Sequence, residues 1–157
     1  MALRKKVPEG QVGFYHVMSR IVGKEALLGD LEKEVFRRLM WRVAEFSGVD
    51  VVTYAVLSNH FHVVVRVPAP EPVSDEELVR RYRVLYREPS RWNPLSAERL
   101  KQILAAGGAT AHHWRTFLRR RMCDLSWFVR TLKQRFSRWF NGVYDRQGTL
   151  WAERFRS

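Results

Sequence analysis

An α+β chain, with an antiparallel sheet covered by helices on one face, is what the sequence predicts, and three observations predict it. Segments of period two alternate with segments of period three to four in the order β-α-β-β-α-β. Prolines and glycines fall at the joints between them. A hydrophobic fraction of 46% is enough to fill one core shared by both kinds of element.

Each element has its own signal. After a basic arm (Arg4, Lys5, Lys6), residues Val12 to Ile21 alternate as a strand, with Phe14, His16 and Met18 on one face and Tyr15, Val17 and Ser19 on the other. Gly23 and Gly29 bracket a loop. Leu31, Val35, Leu39, Val43 and Phe46 then recur at helical spacing, with Asp30 at the expected N-cap and Gly48 at the end. Val51 to Leu57 and Phe61 to Val67 are two β-branched runs separated by Ser58, Asn59 and His60, the pattern of a hairpin, and Pro68, Pro70 and Pro72 stop the second strand.

From Ser74 to Gly108 the chain is charged and helical, broken by Pro89 and Pro94, which predicts an inserted helical pair. His113 to Phe140 reads as two basic helices, with Asp124 or Ser126 capping the second and Asn141 and Gly142 ending it. Thr149 to Phe155 alternates as a last strand. This order is that of a split βαβ, ferredoxin-like sheet carrying a helical insertion, all within one 157-residue domain. Within it lie the arm (1–11), the first strand, helix and hairpin (12–73), the insertion (74–112), and the basic helices with the last strand (113–157).

Composition narrows the function. The formal charge is +12, with 28 Lys and Arg against 16 Asp and Glu. Residues 1–73 hold ten basic and eight acidic side chains, whereas residues 74–157 hold eighteen and eight. Basic residues concentrated in one half, mostly arginine and interleaved with Trp and Phe, point to a polyanion, because phosphate neutralisation releases condensed counterions. The candidates for nucleic-acid contact are Arg119, Arg120, Arg121, Arg130, Lys133, Arg135, Arg138, Arg146 and Arg154, with Trp139 and Trp151 as rings on which unpaired bases could stack. One cysteine, Cys123, excludes an intramolecular disulfide and a cysteine-built zinc site. No apolar run reaches the length of a membrane helix and no signal-peptide pattern opens the chain, so a cytoplasmic, DNA-associated protein is expected.

His60 and His62 are two apart at the start of a strand, so both imidazoles leave the same face, the geometry two ligands need to share one metal ion. Alone, the pair is also compatible with one exposed and one hydrogen-bonded histidine. His16 has the character of a hydrogen-bonded strand residue rather than a ligand.

The run Tyr54-Ala55-Val56-Leu57-Ser58-Asn59-His60-Phe61-His62-Val63-Val64-Val65 resembles the HUH motif (His, bulky hydrophobic, His) of single-tyrosine, IS200-like transposases, and more closely of their REP-associated tyrosine transposase branch. Tyr15-His16-Val17-Met18-Ser19-Arg20 is similar to that family's opening strand. The stretches Phe136 to Asn141 and Gly148 to Phe155 are similar to its helix, loop and strand. The resemblance covers most of the chain outside residues 74–112.

The resemblance implies a DNA endonuclease and strand transferase acting on hairpin single-stranded DNA. It implies Mg²⁺ or Mn²⁺ held by His60, His62 and a polar side chain from a later helix, and a tyrosine that attacks in line to leave a 5′-phosphotyrosine. In the family that tyrosine follows the Trp-x-x-Arg-Phe strand, a stretch this sequence ends too early to include, and truncation of a longer protein is the expected reason. Among internal tyrosines Tyr144, between basic residues near the last strand, is the weak candidate for a substitute. A rival reading is a non-catalytic single-stranded DNA- or RNA-binding module, since a four-stranded sheet with exposed aromatics also serves that purpose. A metal-dependent hydrolase ranks last, because no carboxylates accompany the two histidines.

Overall fold

A computed structural model describes residues 10–91 and 93–152. The basic arm, Arg154 and the far end of the expected last strand lie outside the described residues.

Strand β1 (Gly13–Arg20) is followed by helix α1 (Asp30–Ser47) and by the hairpin of β2 (Asp50–Val56) and β3 (His60–Val67). Four helices complete the described chain: α2 (Asp75–Leu85), α3 (Ala97–Ala106), α4 (Gly108–Arg119) and α5 (Leu125–Val143). The sheet order is β1-β3-β2, antiparallel throughout, with Val17 opposite Val63 and Met18 opposite His62. The last described residues add to the free edge of β1: Val22 N–H donates to Leu150 C=O and Ala152 N–H to Arg20 C=O, both at 2.9 Å. Ile21 and Trp151 thereby form an antiparallel bridge, where the sequence places the fourth strand of a ferredoxin-like sheet.

The helices lie on one face because alternation in the strands leaves them nowhere else to pack. Val17, Phe61, Val63 and Val65 are buried on that side, under Phe36, Met40 and Val43 of α1 and Leu132, Phe136 and Phe140 of α5. Phe36 is the hub, with ring centroids 4.7 Å from Phe61 and 5.3 Å from Phe136. Burying an aromatic or branched side chain of this size stabilises by about 1.5–3 kcal/mol. On the opposite face Phe14, His16 and Arg20 of β1 are exposed, and His60, His62, Val64 and Arg66 of β3 are half-buried.

Several boundaries differ from the sequence reading. The N-cap of α1 is Gly29 and Asp30 is already helical, because the Glu32 carboxylate accepts the Gly29 N–H at 2.9 Å and supplies the missing cap. Gly48 ends the helix with φ 70°, a left-handed conformation that glycine adopts without a side-chain penalty. The basic helical stretch starts earlier than expected, since α4 begins at Gly108, so α4 packs with α2 and α3 into a three-helix unit rather than a pair. Of the two caps considered for α5, Asp124 is used, its carboxylate accepting the Trp127 N–H at 2.6 Å. Asn141 and Gly142 stay inside α5, which runs on to Val143.

Candidate metal centre and nucleic-acid interface

Three histidines meet on the open face of the sheet. Residues 60 and 62 share it by alternation along β3, and the β1–β3 register carries His16 to the same place. His16 Nε2 lies 2.8 Å from His62 Nδ1, with the rings stacked 5.1 Å apart at 16°. The ring of His60 is 5.0 Å from that of His62 and nearly perpendicular to it.

Hydrogen bonding fixes the tautomer of His60. Asn59 Nδ2 donates to Lys24 C=O at 3.0 Å, which orients the amide so that its Oδ1 faces His60 Nδ1 at 2.8 Å. A carbonyl oxygen only accepts, so Nδ1 carries the proton and Nε2 keeps its lone pair. His62 is arranged in parallel, its Nδ1 engaged by His16. Among the described residues neither Nε2 atom of this pair has a hydrogen-bond partner. Burial, followed by the nearby His16, His60 and Arg20, pushes the His62 imidazole below its ordinary pKa and favours its neutral form, the form that binds metal.

This donor set could supply two ligands of a coordination shell. Two imidazoles whose Nδ1 edges are held by neighbours are prepared to ligate through Nε2. The described residues contain no group of three or more His, Cys, Asp or Glu able to hold a metal ion. A metal held by these two imidazoles would need further ligands, and oxygens are the donors that Mg²⁺ or Mn²⁺ prefers.

Tyr144, the internal tyrosine weighed as a nucleophile, caps α5 on the helical side, where its hydroxyl donates to the buried Glu32 carboxylate. That bond, with burial and the carboxylate's charge, pushes the phenol above its ordinary pKa, which makes the phenolate harder to form. Its environment is structural.

The basic candidates divide. Arg121, Arg130, Arg135 and Arg138 line one cleft of about 740 Å³, which Arg42 of α1 and Arg87 after α2 also enter. Arg119 instead donates to Val73 C=O at 2.7 Å, and Arg146 to Thr149 C=O at 3.1 Å, so both tie loops together. Arg120 is exposed outside the cleft. The Lys133 ammonium sits 5.5 Å from the Trp151 ring. Trp151 needs correction: it is only 8% exposed and packs on Phe61 and Phe136, while its Nε1 donates to Lys133 C=O, so it belongs to the core and offers no face to a base. Trp139 is half-buried against Phe136.

Sequence reasoning missed the engagement of His16 with His62 and the part played by Arg42 and Arg87. Alternation did put His16 on the correct face, but only strand register reveals its partner. Arg42 and Arg87 had no signal beyond their charge.

Comparison with known proteins gives two results. No family model and no curated protein matches this chain. Among similar solved structures is a candidate transposase from Deinococcus radiodurans R1, with 16% identity, a TM-score of 0.36, and coverage of 54% of this chain and 68% of that one. Another is a REP-associated tyrosine transposase bound to a REP hairpin, with 11% identity, a TM-score of 0.37, and coverage of 55% of this chain. The alignment spans about half of that protein, 52%.

Proposed function

We propose that this chain is the DNA-binding and metal-holding part of a tyrosine-type transposase of the HUH class, acting on hairpin single-stranded DNA. The observation that carries the reading is the histidine pair, with His60 and His62 on one sheet face, their Nδ1 atoms engaged by Asn59 and His16 and their Nε2 atoms open. The motif around that pair and the basic second half of the sequence support it.

In this reading His60 and His62 hold Mg²⁺ or Mn²⁺. The ion, when bound, polarises a phosphoryl oxygen and offsets charge at the scissile phosphate. Asn59 and His16 keep the two imidazoles oriented, and the arginines of α5 hold the DNA backbone.

The test is an adduct assay on hairpin single-stranded DNA with Mg²⁺ or Mn²⁺, comparing this chain with a form extended past Ser157, each with and without His60→Ala. A metal-dependent protein–DNA adduct in the extended form alone, abolished by His60→Ala, is the expected result. An adduct made by the 157-residue chain would place the nucleophile within it. Hairpin binding without cleavage or metal dependence in either form would favour the second reading, a non-catalytic single-stranded DNA- or RNA-binding module. The arginine cleft favours that alternative, since it needs no metal to hold a polyanion.

A further inference from the structure

The 740 Å³ cleft lies within the helical layer, and no residue of the three-stranded sheet lines it. One wall is α5, whose residues 127, 130, 131, 134, 135 and 138 follow helical spacing along a single face. The other walls are α1, the end of α2, the loop containing Ser90 and Asn93, and α4. Its volume is in the range of roughly 300–1,000 Å³ typical of ligand pockets.

Six arginines face one carboxylate there, Glu88. No ion pair among the described residues reaches Arg42, Arg87, Arg121, Arg130 or Arg135, although Arg37, Arg38, Arg66, Arg80, Arg81 and Arg115 elsewhere are all paired. Two are held by rings instead: Arg121 lies 3.7 Å from the Phe117 centroid and Arg135 4.9 Å from that of Tyr86. A guanidinium packed by its face retains in-plane N–H donors, the geometry that recognises phosphate oxygens. Burial pushes Arg42, Arg121 and Arg135 below the ordinary arginine value, opposed at Arg121 and Arg135 by Tyr86 and aided at all three by neighbouring arginines. The cleft therefore concentrates positive charge against which its described lining sets one carboxylate, Glu88. Phe117, 36% exposed, and the half-buried Trp114 add apolar rings at its margin.

We propose that this cleft seats a single-stranded segment of nucleic acid, its phosphates on the arginines and an unpaired base against Trp114. The inference rests on the nucleic-acid part of the function proposed above and is independent of the metal and the tyrosine. Phosphodiester and aromatic base together form a nucleotide unit, which a polymer or a free nucleotide could supply. The polymer is favoured because the arginines run along the α5 face rather than converging on one point.

The test uses fluorescence anisotropy of a labelled fifteen-residue oligo-dT, titrated with the full chain at several salt concentrations. The double variant Arg87→Gln/Arg130→Gln removes two exposed, unpaired charges, so folding is not at risk. It is expected to weaken binding at least tenfold and to flatten the salt slope by about 1.4, at about 0.7 per single-strand phosphate contact. The double variant Arg83→Gln/Arg99→Gln, with equal charge loss on exposed positions outside the cleft, should change affinity less than twofold. Trp114→Leu should cost roughly tenfold through lost stacking. His60→Ala should leave oligo-dT affinity unchanged, so the cleft can stand even if the adduct assay fails. Equal losses in the two arginine doubles would overturn the cleft in favour of diffuse charge. Competition by ATP at concentrations as low as those of the oligonucleotide would overturn the polymer assignment.

Discussion

His16 engages the Nδ1 edge of His62 across the β1–β3 pair at 2.8 Å, as Asn59 engages the Nδ1 edge of His60 from the preceding turn. One partner comes from register and the other from the chain's own neighbour, and both leave an Nε2 open. His16 and Asn59 therefore orient the two imidazoles and would act as positioning residues for a metal bound there.

Replacing either should weaken metal binding without removing a ligand. His16→Ala and Asn59→Ala are each expected to lower Mn²⁺ affinity by about 10–100-fold, with His60→Ala abolishing binding. Titration followed by Mn²⁺ electron paramagnetic resonance measures this. Unchanged affinity in both positioning variants would remove the oriented-imidazole argument.

Tyr144 should matter to stability and not to chemistry. Its hydroxyl satisfies the buried Glu32, so Tyr144→Phe is expected to cost about 1 kcal/mol in denaturant unfolding. The yield of DNA adduct from the extended form should not change. Loss of the adduct with unchanged stability would make Tyr144 the nucleophile.

Acid should loosen the attachment of α2 to α1. Glu77 accepts from Arg80 and Arg81, and Arg80 reaches on to Glu45 of α1. Those arginines hold the Glu77 carboxyl at about 2, below its ordinary 4.5. Its contribution is thus complete above pH 4.5 and is lost as pH falls from there towards 2. Glu77→Gln should lower stability by up to about 1 kcal/mol at pH 7, the usual limit for an exposed ion pair, and by only a small part of that at pH 2. Thermal unfolding of both proteins across that range checks it, and a constant difference would contradict it.

The cleft wall depends on a buried tyrosine. Tyr82, 1% exposed, donates to Leu95 C=O at 2.8 Å and accepts from Asn93 Nδ2 at 2.7 Å, fixing the loop between α2 and α3. Tyr82→Phe leaves Asn93 Nδ2 and Leu95 C=O only their long 3.5 Å contact with each other and should cost about 1–3 kcal/mol. Oligo-dT affinity should fall by less than in Arg87→Gln/Arg130→Gln, because every arginine remains. A larger fall would show that loop position rather than charge controls binding.

Local pattern made much of this protein legible from its sequence. Period-two alternation identified β1, two β-branched runs identified the hairpin, and their spacing put His60 and His62 on one face; proline breaks marked off α2 and α3; Asp124 or Ser126 marked the start of α5. Those features arise from interactions within a few residues, so they are written in order along the chain. Register and long-range packing are not. Only the tertiary structure paired Met18 with His62 and so brought His16 against the metal-site candidate. It sent Trp151, indistinguishable in sequence from an exposed ring, into the core beside Phe36 and Phe61. It also folded the insertion back so that Arg87 and Arg121 joined Arg42 and the arginines of α5 around one cleft. Charge is countable in a sequence, but its concentration depends on which helices meet, and that was decided by the apolar faces they bury.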